Sequence, residues 1–220
     1  GVSLYYETHG DPADPPLLMA HGLMGSIAHM RRFAERPADI AARGVRVITY
    51  DARGHGRSGY TTNRADYSWD ALAEDMHAFM LGLGIERATV YGGSMGAGTA
   101  LMLALAHPDA VDKLIIQSPP PFGADLRPVQ RMLGGLSVLY QLVGPNRAAA
   151  IVAGLPQSRR LAPASREGLR SFIASQRRGP AVPAIRGLLF DQPQLPADRM
   201  GEIEHTTLVL THPADILHPL

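Results

Sequence analysis

Short apolar runs alternate along the chain with longer segments in which apolar residues recur every three or four positions. The runs occupy residues 17–20, 45–50, 88–91, 114–116 and 207–210. Because they are almost continuously apolar rather than alternating, they are typical of strands buried on both faces. We therefore predict an α/β fold, with a mostly parallel sheet flanked by helices.

Two segments show helical periodicity. In the first, apolar residues recur at Trp69, Leu72, Ala73, Met76, Met80 and Leu83, and Ser68 is a candidate N-cap. The second, over residues 95–106, ends at His107-Pro108, because a residue before proline disfavours helical geometry.

The alternation stops after residue 116, at three consecutive prolines, and resumes only near Thr207. The intervening stretch has a helical apolar pattern at Val129, Met132, Leu133, Leu136, Leu139, Tyr140 and Val143. We expect a core over residues 1–118, a helical cap insertion over 119–200, and the core continued over 201–220. Leu133, Leu136, Leu139 and Val143 are interpreted as packing between the cap and the core, with some of them also touching substrate.

Composition excludes several kinds of chemistry. Of the 220 residues, 45% are hydrophobic and none is cysteine, so disulfides, thiolate nucleophiles and cysteine-bound metals are ruled out. Lys113 is the single lysine, which excludes a Gly-Lys-Ser/Thr phosphate loop. No apolar run is long enough for a membrane span, and the first ten residues lack a secretory pattern. We expect a cytoplasmic protein with no nucleic-acid partner and no cofactor.

The net charge of +1 is unevenly distributed, since residues 119–200 hold 11 of the 21 basic residues but only 4 of the 20 acidic ones. Arginines at the mouth of a pocket would favour anionic substrates. The simpler interpretation is a solvated helix face, because such charges usually face water.

The strongest motif is Gly92-Gly93-Ser94-Met95-Gly96, between a predicted strand and a predicted helix. It matches the Gly-x-Ser-x-Gly nucleophile elbow, in which the serine adopts a strained backbone and projects above the sheet. We expect the positions two residues either side of Ser94 to crowd each other, so that both must be glycine.

Two further segments accompany this motif: His21-Gly22-Leu23-Met24-Gly25 after the first predicted strand, and Asp51-Ala52-Arg53-Gly54-His55-Gly56-Arg57-Ser58-Gly59 after the second. Together the three segments resemble the α/β-hydrolase family. The resemblance implies that Ser94 is a nucleophile and that the N–H groups of Leu23 and Met95 form an oxyanion hole.

The resemblance also implies that Asp215, after the last predicted strand, is the catalytic acid. Asp125 is a weaker alternative, and His21 and His55 are interpreted as structural.

Two patterns imitate other sites. Residues 54–59 fit the dinucleotide pattern Gly-x-Gly-x-x-Gly, but they do not open directly into a helix as that site requires. His212, Asp215 and His218 could imitate a metal site, but no further ligand set accompanies them.

A catalytic histidine should follow the acid in this family. After Asp215 only His218 is available, and it is too near along the turn to reach Ser94, so we expect the histidine beyond Leu220. The expected activity is that of a serine hydrolase (EC 3.1) cleaving a small carboxylic ester or lactone. A C–C hydrolase or thioesterase of the same fold, and a non-catalytic ligand-binding protein without a complete triad, remain alternatives.

Overall fold

The computed structural model describes residues 1–33, 36–120, 125–191 and 195–211. One six-stranded sheet has the order β1-β3-β2-β4-β5-β6. The strands are β1 (Tyr6–His9), β2 (Pro16–Ala20), β3 (Arg46–Tyr50), β4 (Ala88–Gly93), β5 (Val111–Gln117) and β6 (Thr207–Leu210). All pairings are parallel except that of β1 with β3. The predicted α/β fold with a mostly parallel sheet is therefore confirmed.

The two ends of the sheet differ from the prediction. β1 was missed because its residues alternate between exposed and half-buried positions instead of forming an apolar run. β6 lies where a strand was predicted, but burial on both faces is wrong for it, since Leu208 is 53% and Val209 54% exposed. Its sheet neighbour within the described part of the chain is β5 alone, and an edge strand buries less of each face.

The helices are α1 (Ile27–Phe33), α2 (Pro37–Ala41), α3 (Trp69–Gly82), α4 (Met95–Ala106), α5 (Arg127–Gly154), α6 (Pro156–Arg159), α7 (Pro163–Ala174) and α8 (Arg178–Phe190). Ser68 caps α3 as predicted, because its hydroxyl accepts the N–H of Ala71 at 3.0 Å. α5 is kinked at Gly144, where φ is 79° and ψ is 166°. No helix in these ranges combines the length and apolar character that a membrane span needs.

The main hydrophobic core joins the sheet to α3 and α4. Met76 and Met80 of α3 and Val90 of β4 are fully buried in it. A second cluster lies within the inserted helices α5, α7 and α8 and includes Tyr140 and Ile185, both fully buried, together with Met24 from the loop after β2. The inserted helices therefore pack directly on that loop.

The register of the sheet aligns the carboxyl ends of three parallel strands. Gly93 at the end of β4 is opposite Gln117 of β5, and Gln117 is opposite Leu210 of β6. Because loops that follow parallel strands meet at this edge, ligands of open α/β sheets bind there.

Candidate active site

Ser94 forms the whole turn between β4 and α4, with φ 51° and ψ −114°. A side chain at positive φ is strained by about 1–3 kcal/mol, so the surrounding structure must hold it in place. The Ser94 N–H donates to the Gln117 carbonyl of β5 at 2.9 Å, and the Ser94 carbonyl accepts the Gly98 N–H of α4 at 3.0 Å. Hydrogen bonds to the sheet and to the helix thus hold the strained turn.

The glycines two residues before and two residues after Ser94 are required for different steric reasons. A Cβ on Gly92 would lie 2.2 Å from the Gly96 carbonyl oxygen, which agrees with the expected crowding around Ser94. A Cβ on Gly96, however, would lie 2.4 Å from the Ala20 carbonyl oxygen, so Gly96 is required by contact with β2 rather than by Gly92. The motif therefore brings α4 against the carboxyl end of β2 as well as turning the chain.

The loop after β2 lies against the serine. A Cβ on Gly22 would be 3.2 Å from Cβ and 3.7 Å from Oγ of Ser94. The next two residues, Leu23 and Met24, line the same cavity as Ser94 and Met95. Three of the four predicted site residues, Leu23, Ser94 and Met95, are thus brought together, whereas the fourth, Asp215, lies outside the described residues.

Buried polar groups hold this loop. His21 is 4% exposed, its Nδ1 donates to the Gly22 carbonyl at 2.8 Å, and its Nε2 accepts the Ala52 N–H at 3.0 Å. Burial lowers the pKa of His21 to about 4, so the ring is neutral near pH 7 with its proton on Nδ1. The geometry fits the structural role expected of His21.

His55 and Asp51 hold the loop after β3. The His55 Nδ1 donates to the Arg53 carbonyl at 2.8 Å, and burial lowers the pKa of His55 to about 3. The Asp51 carboxylate accepts the N–H of Ile27 at 2.7 Å and that of Arg57 at 2.8 Å. The bond from the Ala52 N–H to His21 and the bond from the Ile27 N–H to Asp51 tie the loop after β3 to the segment that follows β2, and the rings of His21 and His55 lie 5.1 Å apart.

Three other sequence interpretations concern the dinucleotide-like pattern, the metal-like cluster and the alternative catalytic acid. Residues 54–59 lead through a bend into the short 3₁₀ helix Arg64–Tyr67 and not directly into an α-helix, which is unlike a dinucleotide site. His212, Asp215 and His218 lie outside the described residues. Asp125 is exposed, and its Oδ1 accepts the backbone N–H and the Nε–H of Arg127, which lowers the pKa of this carboxyl group.

A cavity of about 1030 Å³ opens beside Ser94. Within the described ranges, its walls contain no aspartate, glutamate, lysine, arginine or histidine. Leu133, Leu136 and Leu139 line it and also join the second hydrophobic cluster, so they both pack and face the cavity. The arginines of the insertion lie elsewhere; for example, Arg177 donates to the Ser58 carbonyl at 2.5 Å.

The sequence did not reveal two features of the cavity. Trp69 was assigned only to the apolar stripe of α3, yet it lines the cavity, and its ring fills the place where a Cβ on Gly98 would lie, 2.6 Å away. Met24 has φ 62°, an unusual value for a methionine, and its carbonyl accepts the side-chain N–H of Gln176 at 2.8 Å. The presence of a single tryptophan at the start of a helix was a signal for the role of Trp69. No local pattern indicated the positive φ of Met24.

A separate cluster could hold a metal ion. Glu74, His77 and His107 offer ligand atoms within 4.8 Å of one another. The Glu74 carboxylate and the His107 Nε2 are 2.7 Å apart, and the rings of His77 and His107 are stacked at 3.7 Å. None of the three lines the cavity beside Ser94, so the cluster has no direct part in chemistry there.

Known proteins share this architecture. The family model described as the alpha/beta hydrolase fold matches residues 15–162. The sn-1-specific diacylglycerol lipase ABHD11 of Mus musculus is 31% identical over 172 residues, which cover 74% of this chain and 52% of the lipase. Proline iminopeptidase of Xylella fastidiosa (strain 9a5c) is 36% identical over 117 residues, covering 52% of this chain and 35% of that protein.

A solved carboxylesterase structure from Nitrososphaera gargenis matches with a TM-score of 0.84 at 23% identity, covering 99% of this chain and 79% of that one. At this identity the likeness is one of fold. The chain spans about half the length of the mouse lipase and about a third of the iminopeptidase. The family match over residues 15–162, the parallel sheet and the turn at Ser94 agree, and the chain belongs to the alpha/beta hydrolase fold family.

Proposed function

We propose that this chain is a serine hydrolase that cleaves a carboxylic ester or lactone through an acyl-enzyme intermediate, with Ser94 as the nucleophile. One observation carries the proposal: Ser94 stands at φ 51° and ψ −114° between β4 and α4, in the wall of a cavity. A strained serine between a strand and a helix is suited to act as the nucleophile of acyl transfer, because the turn exposes its hydroxyl to substrate.

In the first step, Oγ of Ser94 attacks the carbonyl carbon of the ester, and the carbonyl oxygen becomes an oxyanion. The N–H groups of Leu23 and Met95 are assigned to this oxyanion. Two observations support the assignment. First, the backbone hydrogen bonds of α4 begin with that from the Gly98 N–H to the Ser94 carbonyl, so the N–H of Met95 lies before the hydrogen-bonded part of the helix. Second, Gly22, which precedes Leu23, lies against the Ser94 side chain.

The Ser94 proton passes to a general base and then to the leaving alcohol as the carbon–oxygen bond of the ester breaks. In this family the base is a histidine, which we assign to a residue outside the described ranges, since none of the described histidines lines the cavity. Asp215 is proposed to orient it and to stabilise its charge. In support, β6 ends at Leu210 in the same row of the sheet as Gly93, at the edge where Ser94 lies.

In the second step, a water molecule activated by the same base attacks the acyl carbon. The bond to Ser94 breaks, the Ser94 oxygen recovers a proton, and the carboxylic acid leaves. A serine at the elbow also permits thioester or carbon–carbon cleavage, which begin with the same attack. We favour esters because the mouse relative, at 31% identity, is named a diacylglycerol lipase.

We further propose that the helical insertion acts as a cap over the substrate. Its helices supply most of the cavity wall, including Leu136, Phe172 and Leu188. By excluding water, such a wall strengthens the hydrogen bonds to the oxyanion.

A fluorophosphonate probe tests the nucleophile, because it reacts covalently with activated serines. The full-length protein should be labelled at Ser94, as located by peptide mass spectrometry, and should hydrolyse p-nitrophenyl esters. Ser94→Ala should lose both properties, whereas Ser165→Ala, a change at an exposed position of α7, should keep both. Absence of labelling in a folded full-length protein would favour the non-catalytic binding protein instead.

A further inference from the structure

The cavity beside Ser94 is larger than a small acyl group requires. At about 1030 Å³ it lies at the upper end of the roughly 300–1,000 Å³ range of small-molecule sites. An acetyl or butanoyl group would fill only a small part of it and leave apolar wall without contacts. This inference rests on the proposed function and concerns the acyl group that Ser94 would receive.

The wall extends from the elbow into all four inserted helices. On the core side it begins at Ser94, Met95 and Trp69. The insertion contributes Leu136 from α5, Ser158 from α6, Phe172 from α7 and Leu188 from α8, among others. One continuous apolar chamber thus connects the proposed nucleophile with the interior of the insertion.

The chamber is suited to uncharged ligands. Its polar side chains, within the described residues, are those of Ser94, Gln130, Gln157 and Ser158, and the Trp69 ring. Gln130 is already engaged, because its Nε2 donates to the Leu189 carbonyl at 2.6 Å. A charged group placed here would lose its water without gaining an ion-pair partner, which is costly.

Packing explains only one of two adjacent glycines in α5. A Cβ on Gly134 would lie 2.9 Å from the Phe190 ring, so contact with α8 accounts for that glycine. A Cβ on Gly135 would meet no atom within 4 Å, although Gly135 lines the cavity. Glycine within a helix is less favourable than alanine by about 1 kcal/mol, and what Gly135 provides in return is space along the cavity wall.

We propose that this cavity binds the uncharged alkyl chain of a medium- to long-chain acyl ester, and that Gly135 keeps room for the longer chains. The substrate class is therefore a neutral lipid-like ester rather than a small or acidic one. Gly135 acts as a specificity-determining position, since a side chain there would take up space that the alkyl chain uses.

The chain itself contains a reporter for the test. Trp69 is the single tryptophan and lines the cavity, so its fluorescence should respond to a ligand held there. Binding is measured on the full-length Ser94→Ala protein, which has no hydroxyl at position 94, with methyl esters of the saturated C4, C8, C12 and C16 acids. Each ester is titrated below the concentration at which it aggregates.

We expect the affinity to rise about threefold to fourfold for each added methylene until the cavity is filled, the ratio expected for burial of a methylene group. Adding Gly135→Leu should weaken binding of the C12 and C16 esters at least tenfold and leave the C4 ester unchanged. Gly168→Leu is the matched control, because Gly168 also lies in a helix with open space around it but does not line the cavity.

Three results would overturn the inference: affinity that does not depend on chain length, equal effects of Gly135→Leu and Gly168→Leu, or equal affinity for a C12 methyl ester with a carboxylate at its far end. These binding results are independent of the nucleophile, since the protein used lacks Ser94. A failure here is thus distinguishable from a failure of the labelling experiment, which tests Ser94 alone.

Discussion

Gly22 lies against the side chain of Ser94, although 72 positions separate them in the chain. The space that a Cβ on Gly22 would occupy lies 3.2 Å from the Ser94 Cβ, closer than ordinary van der Waals contact. A side chain at position 22 would therefore displace either this loop or the Ser94 side chain by a few tenths of an ångström. This contact sets the distance between the serine and the loop proposed to bind the oxyanion.

Gly22→Ala should reduce activity more than stability. The added methyl group would push the Ser94 side chain or the loop by a few tenths of an ångström, and misplacement of reacting groups on this scale reduces catalysis strongly. We expect kcat/KM for a p-nitrophenyl ester to fall at least tenfold while the melting temperature changes by a few degrees. Gly201→Ala, with no atom within 4 Å of the added carbon, should leave both values unchanged; equal kinetics in the two variants would contradict the proposed role of this contact.

Gly96→Ala should destabilise the fold itself. Its Cβ would lie 2.4 Å from the carbonyl oxygen and 2.7 Å from the carbonyl carbon of Ala20, which are backbone atoms of a central strand. Overpacking of this kind costs about 1–3 kcal/mol of unfolding free energy. Urea denaturation measures the loss. Gly82→Ala, at the end of α3 with open space around it, should be neutral or stabilising, and a similar loss in both variants would refute the steric explanation.

Stability should decrease as the pH falls below about 6.5, the pKa of a histidine in an unfolded chain. Burial lowers the pKa of His21 to about 4 and that of His55 to about 3. Between these values and 6.5 the unfolded chain binds protons that the folded protein does not, so the free energy of unfolding falls with pH in this window. Urea denaturation from about pH 7 to pH 5 measures the slope.

The histidine contribution can be separated from that of the carboxyl groups by substitution. His55→Gln should make the slope shallower even if it lowers stability at every pH, because one of the two suppressed protonations is removed. His205→Gln, a change at a half-buried histidine in the loop before β6, is the comparison variant, and the slope should change less in it than in His55→Gln. An identical slope in all three proteins would show that the buried histidines do not govern the acid response.

The two candidate acids should respond differently to removal of their charge. Asp215→Asn should lower kcat by about 10⁴, the effect of the equivalent change in serine proteases. Asp125→Asn should alter kcat by less than a factor of about three, since its carboxylate is exposed and already engaged by Arg127. Both are measured as p-nitrophenyl ester hydrolysis by the full-length protein, and a large effect of Asp125→Asn alone would exchange the two assignments.

Much of the fold was predictable because it depends on local patterns. Continuous apolar runs located β2 to β6, and the cap at Ser68 located the start of α3. The strained backbone at Ser94 was also predictable, since a serine in a Gly-x-Ser-x-Gly motif, placed between a strand and a helix, permits few other conformations. β1 escaped because an edge strand with alternating exposure has no apolar run.

Other features arise from contacts between distant parts of the chain. Gly96 is adjacent to Ser94 in the motif, but its steric reason is Ala20 of β2. The basic character of residues 119–200 left open an anion-attracting pocket, whereas the cavity wall in the described ranges is uncharged. Sequence alone could not decide whether the arginines line the cavity or face solvent, because it does not show which face of each inserted helix is turned toward the sheet.

The sequence by itself determined the positions of β2 to β6, α3 and α4, the helical pattern over residues 129–143 and the conformation of the turn at Ser94, because each depends on residues within a few positions of one another. Only the tertiary structure decided that Gly22 lies against Ser94, that Trp69 and Gly135 line one cavity, and that this cavity is apolar and large. Its walls come from residues between Leu23 and Leu195, and their proximity results from packing, which no local pattern records.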